Sequence, residues 1–273
     1  NDFELAQRHS LPSIEVIDKL GKLTANTGKY AGLKIAVARD AVVKDLEAMG
    51  MIEKVENYTH PVPTCYKCNT TIEPRQMLQW YVKMKPLAEL ALGAVEKGEI
   101  TFYPDNYRKI FNYWMSNTAD WNISRQIVWG IPIPAKICTS ANCGHAFPDL
   151  ETETEAEAKT ETGTKTETEK CPKCGGAVTK DTDTFDTWFS SGQWPLIVTG
   201  YKGDGEDKGQ KDSNTGKSSK ASDDFKTYYP TDVMETGYDL IFKWVPRMVI
   251  FGLYLNKHVP FKDVYLHGLV NDA

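Results

Sequence analysis

The sequence predicts an α/β protein with a parallel sheet, into which a small cysteine-pinned module is set. Three observations carry this reading. Near the carboxyl end, residues 232–236 read as a strand, 238–255 as a long amphipathic helix and 263–270 as a second strand. A strand, a crossover helix and a strand form a βαβ unit, whose ligands gather near the strand carboxyl ends. Residues 83–97 and 105–118 read as helices, opened by Pro86 and Pro104, with Gly98 after the first. Proline in a first turn gives up an N–H that has no intrahelical partner. Six cysteines fall into three close pairs.

Upstream, residues 1–60 alternate short apolar runs, such as Ile14-Glu15-Val16-Ile17, with a helix-like stretch over 35–49 that Gly50 ends. Residues 123–137 have strand character, broken by Gly130, Pro132 and Pro134. Two stretches lack the means to join a core. Residues 151–170 alternate Thr and Glu with no apolar side chain larger than Ala, and 200–224 are rich in Gly, Lys, Asp and Ser. Ordering the backbone opposes folding by about 1–2 kcal/mol per residue, and such composition offers little to offset it. Both are expected to be mobile insertions that tolerate shortening.

At 273 residues the chain is long enough for about two domains. Its 41% hydrophobic and 25% charged residues exclude wholesale disorder. A net charge of −5 speaks against a generic nucleic-acid binder, although residues 151–170, with seven Glu against three Lys, carry most of it. No apolar run reaches the roughly 18–20 residues of a membrane helix; 245–255 is the longest candidate and Arg247 interrupts it. The first residues form no signal peptide and no initiator Met precedes them, so the chain is expected to begin inside a longer, cytoplasmic protein.

Cys65-Tyr-Lys-Cys68 and Cys171-Pro-Lys-Cys174-Gly-Gly have the two-residue spacing that lets two thiolates face one ion while backbone N–H groups turn back onto the sulfurs. The Cys138/Cys143 pair is spaced more widely but within the range of zinc loops. Cys138, Cys143, Cys171 and Cys174 are expected to close a tetrahedral zinc ribbon with the Thr/Glu insertion at its tip. Cys65 and Cys68 lack a second half: either ligands come from elsewhere or the metal has been lost. Six reduced, unliganded cysteines are the plainer alternative, and disulfides are disfavoured without a secretory signal.

Asp120-Trp-Asn-Ile-Ser-Arg-Gln126, followed by Trp129-Gly130 and Ile131-Pro-Ile-Pro134, resembles a block of the class Ia aminoacyl-tRNA synthetases, the enzymes for valine, isoleucine and leucine. Asp186-Thr-Trp-Phe-Ser-Ser191 with Trp194-Pro195, and Tyr229-Pro-Thr-Asp-Val-Met-Glu-Thr-Gly-Tyr-Asp239, are similar to the valine-specific members. Phe242-Lys-Trp-Val-Pro-Arg-Met248 and Pro260-Phe-Lys-Asp-Val-Tyr-Leu-His-Gly-Leu-Val270 agree with them. Two departures touch the presumed amino-acid pocket: Val128-Trp129 where the family usually has two tryptophans, and Gly192-Gln193 where it usually has Ala-Leu. The family's His-Ile-Gly-His and Lys-Met-Ser-Lys-Ser types of nucleotide motif do not occur in the chain.

The resemblance implies the second half of a Rossmann-like catalytic domain, with a zinc-ribbon insertion and the C-terminal part of a β-rich editing domain. Editing would occupy 1–60, a return stub and the start of the second catalytic half 61–135, the ribbon 136–180, and the catalytic half 181–273 with its loop at 200–224. Gly237, Asp239, His267 and Gly268 would contact the adenylate, although Asp239 on pattern alone would simply cap a helix. Trp129 and Trp188 would wall the pocket for the valine side chain. An apolar pocket cannot strongly reject threonine, a point for which the valine enzymes are themselves the standard example, so a second, hydrolytic site is implied. Asp2, in Asp2-Phe3, falls in the motif of that editing site and would hold the α-ammonium of a misattached threonine. Arg125 and Lys243 could touch phosphate or tRNA, but an exposed charge is the default for both, and Trp80 reads as packing.

In this reading the chain is an internal piece of a monomeric ligase. Its parent would activate valine with ATP and magnesium, transfer the valyl group to tRNA(Val) and hydrolyse threonyl-tRNA(Val). The piece alone is expected to be inactive. Two alternatives stay open: a non-catalytic, zinc-containing tRNA-binding module, and the isoleucine or leucine enzyme.

Overall fold

The computed structural model describes residues 2–140, 142–149, 170–201 and 221–270, and most of the two insertions (151–169 and 202–220) lies outside them. The chain divides into two units, residues 1–78 and 79–273.

In the first unit, α1 (Asp2–Arg8) buries no residue and a 3-10 turn spans Ala25–Tyr30. Helix α2 (Ile35–Ala48) stops at Met49 with Gly50 at φ +67, the left-handed terminator its sequence predicts. Strand pairing is limited to isolated bridges, Ile17 with Leu23, Lys22 with Lys34 and Thr64 with Thr71. The β-rich character implied for 1–60 is therefore absent from these described residues. Asp18 supplies a local reason: its carboxylate accepts the N–H groups of Leu20 and Lys22, both at 2.8 Å, and so draws two donors away from any ladder. The unit also runs past residue 60. Arg75 donates to the Ile17 carbonyl at 2.8 Å and pairs with Glu15, and Arg39 pairs with Glu73 at 2.9 Å.

The second unit begins with β1 (Tyr81–Val82), α3 (Met84–Glu96), β2 (Thr101–Tyr103) and α4 (Asn106–Ser116). On α3 the residues Met84, Ala88, Ala91 and Val95 recur at helical spacing and are buried; the alanines let neighbouring backbones approach. Phe111 of α4 is fully buried and meets Phe102 of β2 at a centroid distance of 5.1 Å. Short strands β3 (Trp121–Asn122) and β4 (Ser124–Arg125) follow, then β5 (Ala135–Cys138), β6 (Ala146–Pro148) and β7 (Val178–Lys180), which form one antiparallel sheet, and β8 (Thr184–Phe185). Helices α5 (Thr187–Ser191), α6 (Trp194–Val198) and α7 (Ala221–Tyr228) lead to β9 (Thr231–Gly237), α8 (Trp244–Phe251) and β10 (Phe261–His267). Helix α7 starts inside the 200–224 stretch read as loop; Phe225 anchors it, with Tyr201 at 5.2 Å and Tyr229 at 4.8 Å between ring centroids.

Strands β2, β10 and β9 form a three-stranded parallel sheet with β10 central. This is the βαβ unit the sequence predicts. Phe261, Val264 and Leu266 of β10 face the core with Val245, Met248 and Val249 of α8. The connection is not the single helix expected over 238–255. It splits into a 3-10 turn at Tyr238–Leu240, α8, and a π turn at Gly252–Asn256. Pro246 is the reason at the front: lacking an N–H, it is tolerated only in a first turn, so α8 starts at Trp244. No helix among the described residues is long and apolar enough to cross a membrane.

Candidate functional site

The parallel register pairs His267 with Gly237, so the carboxyl ends of β9 and β10 lie side by side. Four of the residues expected at the adenylate fall there. Gly237 has ordinary extended dihedrals, φ −61 and ψ 142, so its lack of a side chain matters for space and not for backbone freedom. A Cβ at that position would stand 2.7 Å from Asp239 Oδ1 and 3.7 Å from His267 Cε1. Asp239 lies in the 3-10 turn that follows, and Gly268 comes directly after His267. Glu235, not anticipated from sequence, joins the corner: its Oε1 is 3.3 Å from His267 Nε2. A strand period of two separates Glu235 from Gly237 and so aims both to one face, a signal that was available in the pattern. His267 Nδ1 lies 2.7 Å from the Gly268 carbonyl, so both ring nitrogens face oxygen acceptors, this carbonyl and the Glu235 carboxylate. The corner offers two carboxylates and an imidazole beside open space at Gly268, suited to hydroxyls and a polar ring edge.

The two expected pocket tryptophans are carried by segments on either side of β8. Phe185 donates its N–H to the Ile131 carbonyl at 2.8 Å, and Ile133 donates to Asp183 at 3.0 Å. Gly130 lies so close to Thr184 that a Cβ would come within 2.8 Å of it, which accounts for the glycine after Trp129. The Trp129 ring itself is 91% exposed, whereas Trp188 is half-buried against the core. Asp2 is exposed at the start of α1, in the first unit. The Arg125 side chain stays 40% exposed, as expected, while its guanidinium also reaches the buried Asp186 at 2.6 Å. Lys243 is exposed beside the Phe242 ring. Trp80 is packing, as expected, and its Nε1–H donates to Asp181 at 2.5 Å.

Four cysteines converge at one end of the antiparallel sheet β6-β5-β7. Cys138 ends β5, Cys143 sits in the turn toward β6, and Cys171 and Cys174 form a knuckle before β7. Their sulfurs all lie within 4.8 Å of one another, with Cys138 to Cys174 at 3.5 Å and Cys143 to Cys171 at 3.8 Å. Zinc–sulfur bonds of about 2.3 Å in a tetrahedron need sulfurs about 3.8 Å apart, so the donor set fits a closed zinc site. The Gly176 N–H, 3.4 Å from Cys174 Sγ, together with the Cys138 sulfur, pulls the Cys174 thiol down to about 6. At Cys143 the His145 N–H acts in the same direction, but burial and the three neighbouring sulfurs outweigh it and push the thiol up to about 11. Four sulfurs that compete for negative charge in this way are relieved by a divalent cation.

The other knuckle has the same backbone. Cys65 N–H donates to Thr70 O at 2.8 Å and Asn69 N–H to Cys65 O at 2.8 Å, matching Cys171 to Gly176 at 2.9 Å and Gly175 to Cys171 at 2.8 Å. Asn69 at φ +55 stands where Gly175 has φ +71. Hydrogen bonds from the Thr70 hydroxyl and N–H hold the Cys68 thiol below its usual range.

The valine–tRNA ligases of Petrotoga mobilis and Thermotoga maritima are each 43% identical over 273 residues, all of this chain and 27% and 28% of theirs. That of Carboxydothermus hydrogenoformans is 42% identical over 274 residues, again all of this chain and 27% of the relative. The chain thus spans about a quarter of the length of the curated relatives it matches. Among solved structures, Mycobacterium tuberculosis methionyl-tRNA synthetase bound by methionyl-adenylate aligns with 77% of this chain and 30% of its own, at 13% identity and a TM-score of 0.45. The family described as tRNA synthetases class I (I, L, M and V) matches residues 3–273, and with the motifs and the strand corner above it places this chain in that family.

Proposed function

We propose that the chain is part of a valine–tRNA ligase. The parent would join valine to ATP as valyl-adenylate, pass the valyl group to tRNA(Val), and hydrolyse threonyl-tRNA(Val). The observation that carries this is the identity of 42–43% along the whole chain to enzymes of that name; the register that sets Gly237 beside His267 at the β9/β10 ends supports it. In this reading Asp239 accepts the ribose hydroxyls, Gly237 leaves room for the Asp239 carboxylate, and the open space at Gly268 admits the adenosine. His267, beside Glu235, would contact the adenylate. Neither step needs a protein nucleophile, so positioning and electrostatic stabilisation supply the rate. Magnesium would arrive with the nucleotide. Trp188 and Trp129 would bound the valine side chain, and Asp2 would serve the editing site. The Cys138/Cys143/Cys171/Cys174 set would hold structural zinc, and Cys65 with Cys68 would supply two ligands of another site. The parent would work as a monomer in the cytoplasm.

The test is amino-acid-dependent pyrophosphate exchange by the full-length protein, run with valine, isoleucine and leucine. Exchange with valine supports the proposal, and exchange with either of the others in its place overturns it. The 273-residue chain alone, which has neither nucleotide motif, is expected to give no exchange above a heat-killed control.

A further inference from the structure

The buried carboxylate of Asp186 joins three elements that the adenylate corner does not include. One oxygen, Oδ1, caps α5 by accepting the Trp188 N–H at 3.1 Å. The other, Oδ2, accepts the Trp121 indole N–H at 3.0 Å and the Arg125 guanidinium at 2.6 Å. Arg125 is itself fixed by the Asn122 and Ser124 carbonyls, at 3.0 and 2.8 Å. A second guanidinium, that of Arg247 on α8, lies 4.2 Å over the Trp121 ring, within the electrostatic reach of Asp186. The far end of α5 is clamped too. A Cβ on Gly192 would stand 2.9 Å from Arg247 Cβ, which explains the glycine found where the family usually has alanine.

We infer that Asp186 is a positioning residue for amino-acid recognition: its two oxygens lock the turn carrying Trp188 to the Trp121–Arg125 strands, and so set the wall of the side-chain pocket. This rests on the proposed function, in which Trp188 bounds that pocket. A carboxylate suits the task because it is acceptor-only: one oxygen serves the cap while the other serves two donors. The charge also keeps its place inside the protein because Arg125 compensates it, and an uncompensated one would be expelled. Asparagine keeps the shape and can still cap through its carbonyl oxygen. Its amide then turns a donor toward the Trp121 and Arg125 donors, which breaks that link alone.

The experiment is pyrophosphate exchange by the full-length enzyme, wild type against Asp186→Asn, with KM measured separately for valine and ATP. The expected result is a KM for valine raised about tenfold or more, with the KM for ATP within about twofold of wild type. A purely structural role lowers the active fraction and leaves both KM values in place; that result, or a parallel rise in both, overturns the inference. Should Asp186→Asn fail to fold, Trp121→Phe decides, since it deletes one donor and keeps the ring beneath Arg247. A rise of about threefold or more in the valine KM alone supports the inference, and an unchanged one overturns it. If wild-type enzyme activates isoleucine, leucine or methionine in place of valine, the valine reading fails, and the Asp186 inference is judged by the KM of that amino acid.

Discussion

An ideal Cβ on Gly237 would stand 2.7 Å from Asp239 Oδ1 and 3.1 Å from Leu269 Cδ2. The backbone there is ordinary, so Gly237→Ala acts through steric displacement of the Asp239 carboxylate. Overpacking of this kind costs about 1–3 kcal/mol, visible in a thermal melt. In the full-length enzyme it should also raise the KM for ATP about tenfold, because a small misplacement of a binding group is costly. An unchanged KM would show that Asp239 does not touch the nucleotide. Tyr229 makes a second prediction at this scale. Its hydroxyl donates to the His258 carbonyl at 3.1 Å, and burial pushes the phenol up to about 12. The folded state therefore holds this proton more tightly than the unfolded state, whose tyrosines ionise near pH 10. The sign follows: Tyr229 favours folding below pH 10, and that contribution is lost as pH rises from about 10 toward 12. Melting of wild type and Tyr229→Phe from pH 8 to 11.5 should show a steeper alkaline fall in wild type; parallel curves would contradict it.

Among the elements, the convergence of Cys138, Cys143, Cys171 and Cys174 was the most legible in sequence, because spacing and turn chemistry coincide where cysteine pairs stand beside glycines. The helices α3 and α4 were legible from their apolar period and their proline and glycine punctuation. The break in the 238–255 segment was harder to see, since its apolar period runs through Pro246 and only the missing N–H marks the restart at Trp244. The Asp186 hub was not legible at all. Asp186 and Arg247 are far in sequence from the Trp121–Arg125 segment, and tertiary pairing of β4 with β8 brings Asp186 to it. The ribbon carries a prediction of its own. Cys171→Ser should abolish zinc retention, measured by elemental analysis of protein purified without chelators, at about one ion per chain in wild type. Loss of metal should also loosen β5–β7, because structural zinc supplies folding energy directly. Wild-type protein without zinc, or full retention by the variant, would remove the ribbon from the list of metal sites.

For the whole molecule, the distribution of burial decides which unit can stand alone. Among the described residues 2–78, Ala38 is the only buried hydrophobic side chain, while large apolar groups such as Leu20, Met51 and Ile14 are exposed. Among the described residues all the other buried hydrophobics lie between Met84 and Leu266, most of them in a cluster drawn largely from α3, α4, α8 and the parallel sheet. Burial contributes roughly 25 cal/mol per Å² of apolar surface, so almost all of the hydrophobic stabilisation belongs to the second unit. Local stability should follow it. In hydrogen exchange on the isolated chain, amides of α2 should exchange orders of magnitude faster than those of α3, α8 and β10. Removing residues 1–78 should leave the melting temperature of the remaining chain within a few degrees, because a unit with so little buried surface adds little to the cooperative transition. Phe111→Ala, which opens a cavity in the main cluster, should by contrast lower stability by roughly 3–5 kcal/mol. If α2 amides prove as protected as those of α3, or if the truncated chain fails to fold, the first unit contributes more than its own burial provides, and this division of the molecule into a stable and a dependent unit is wrong.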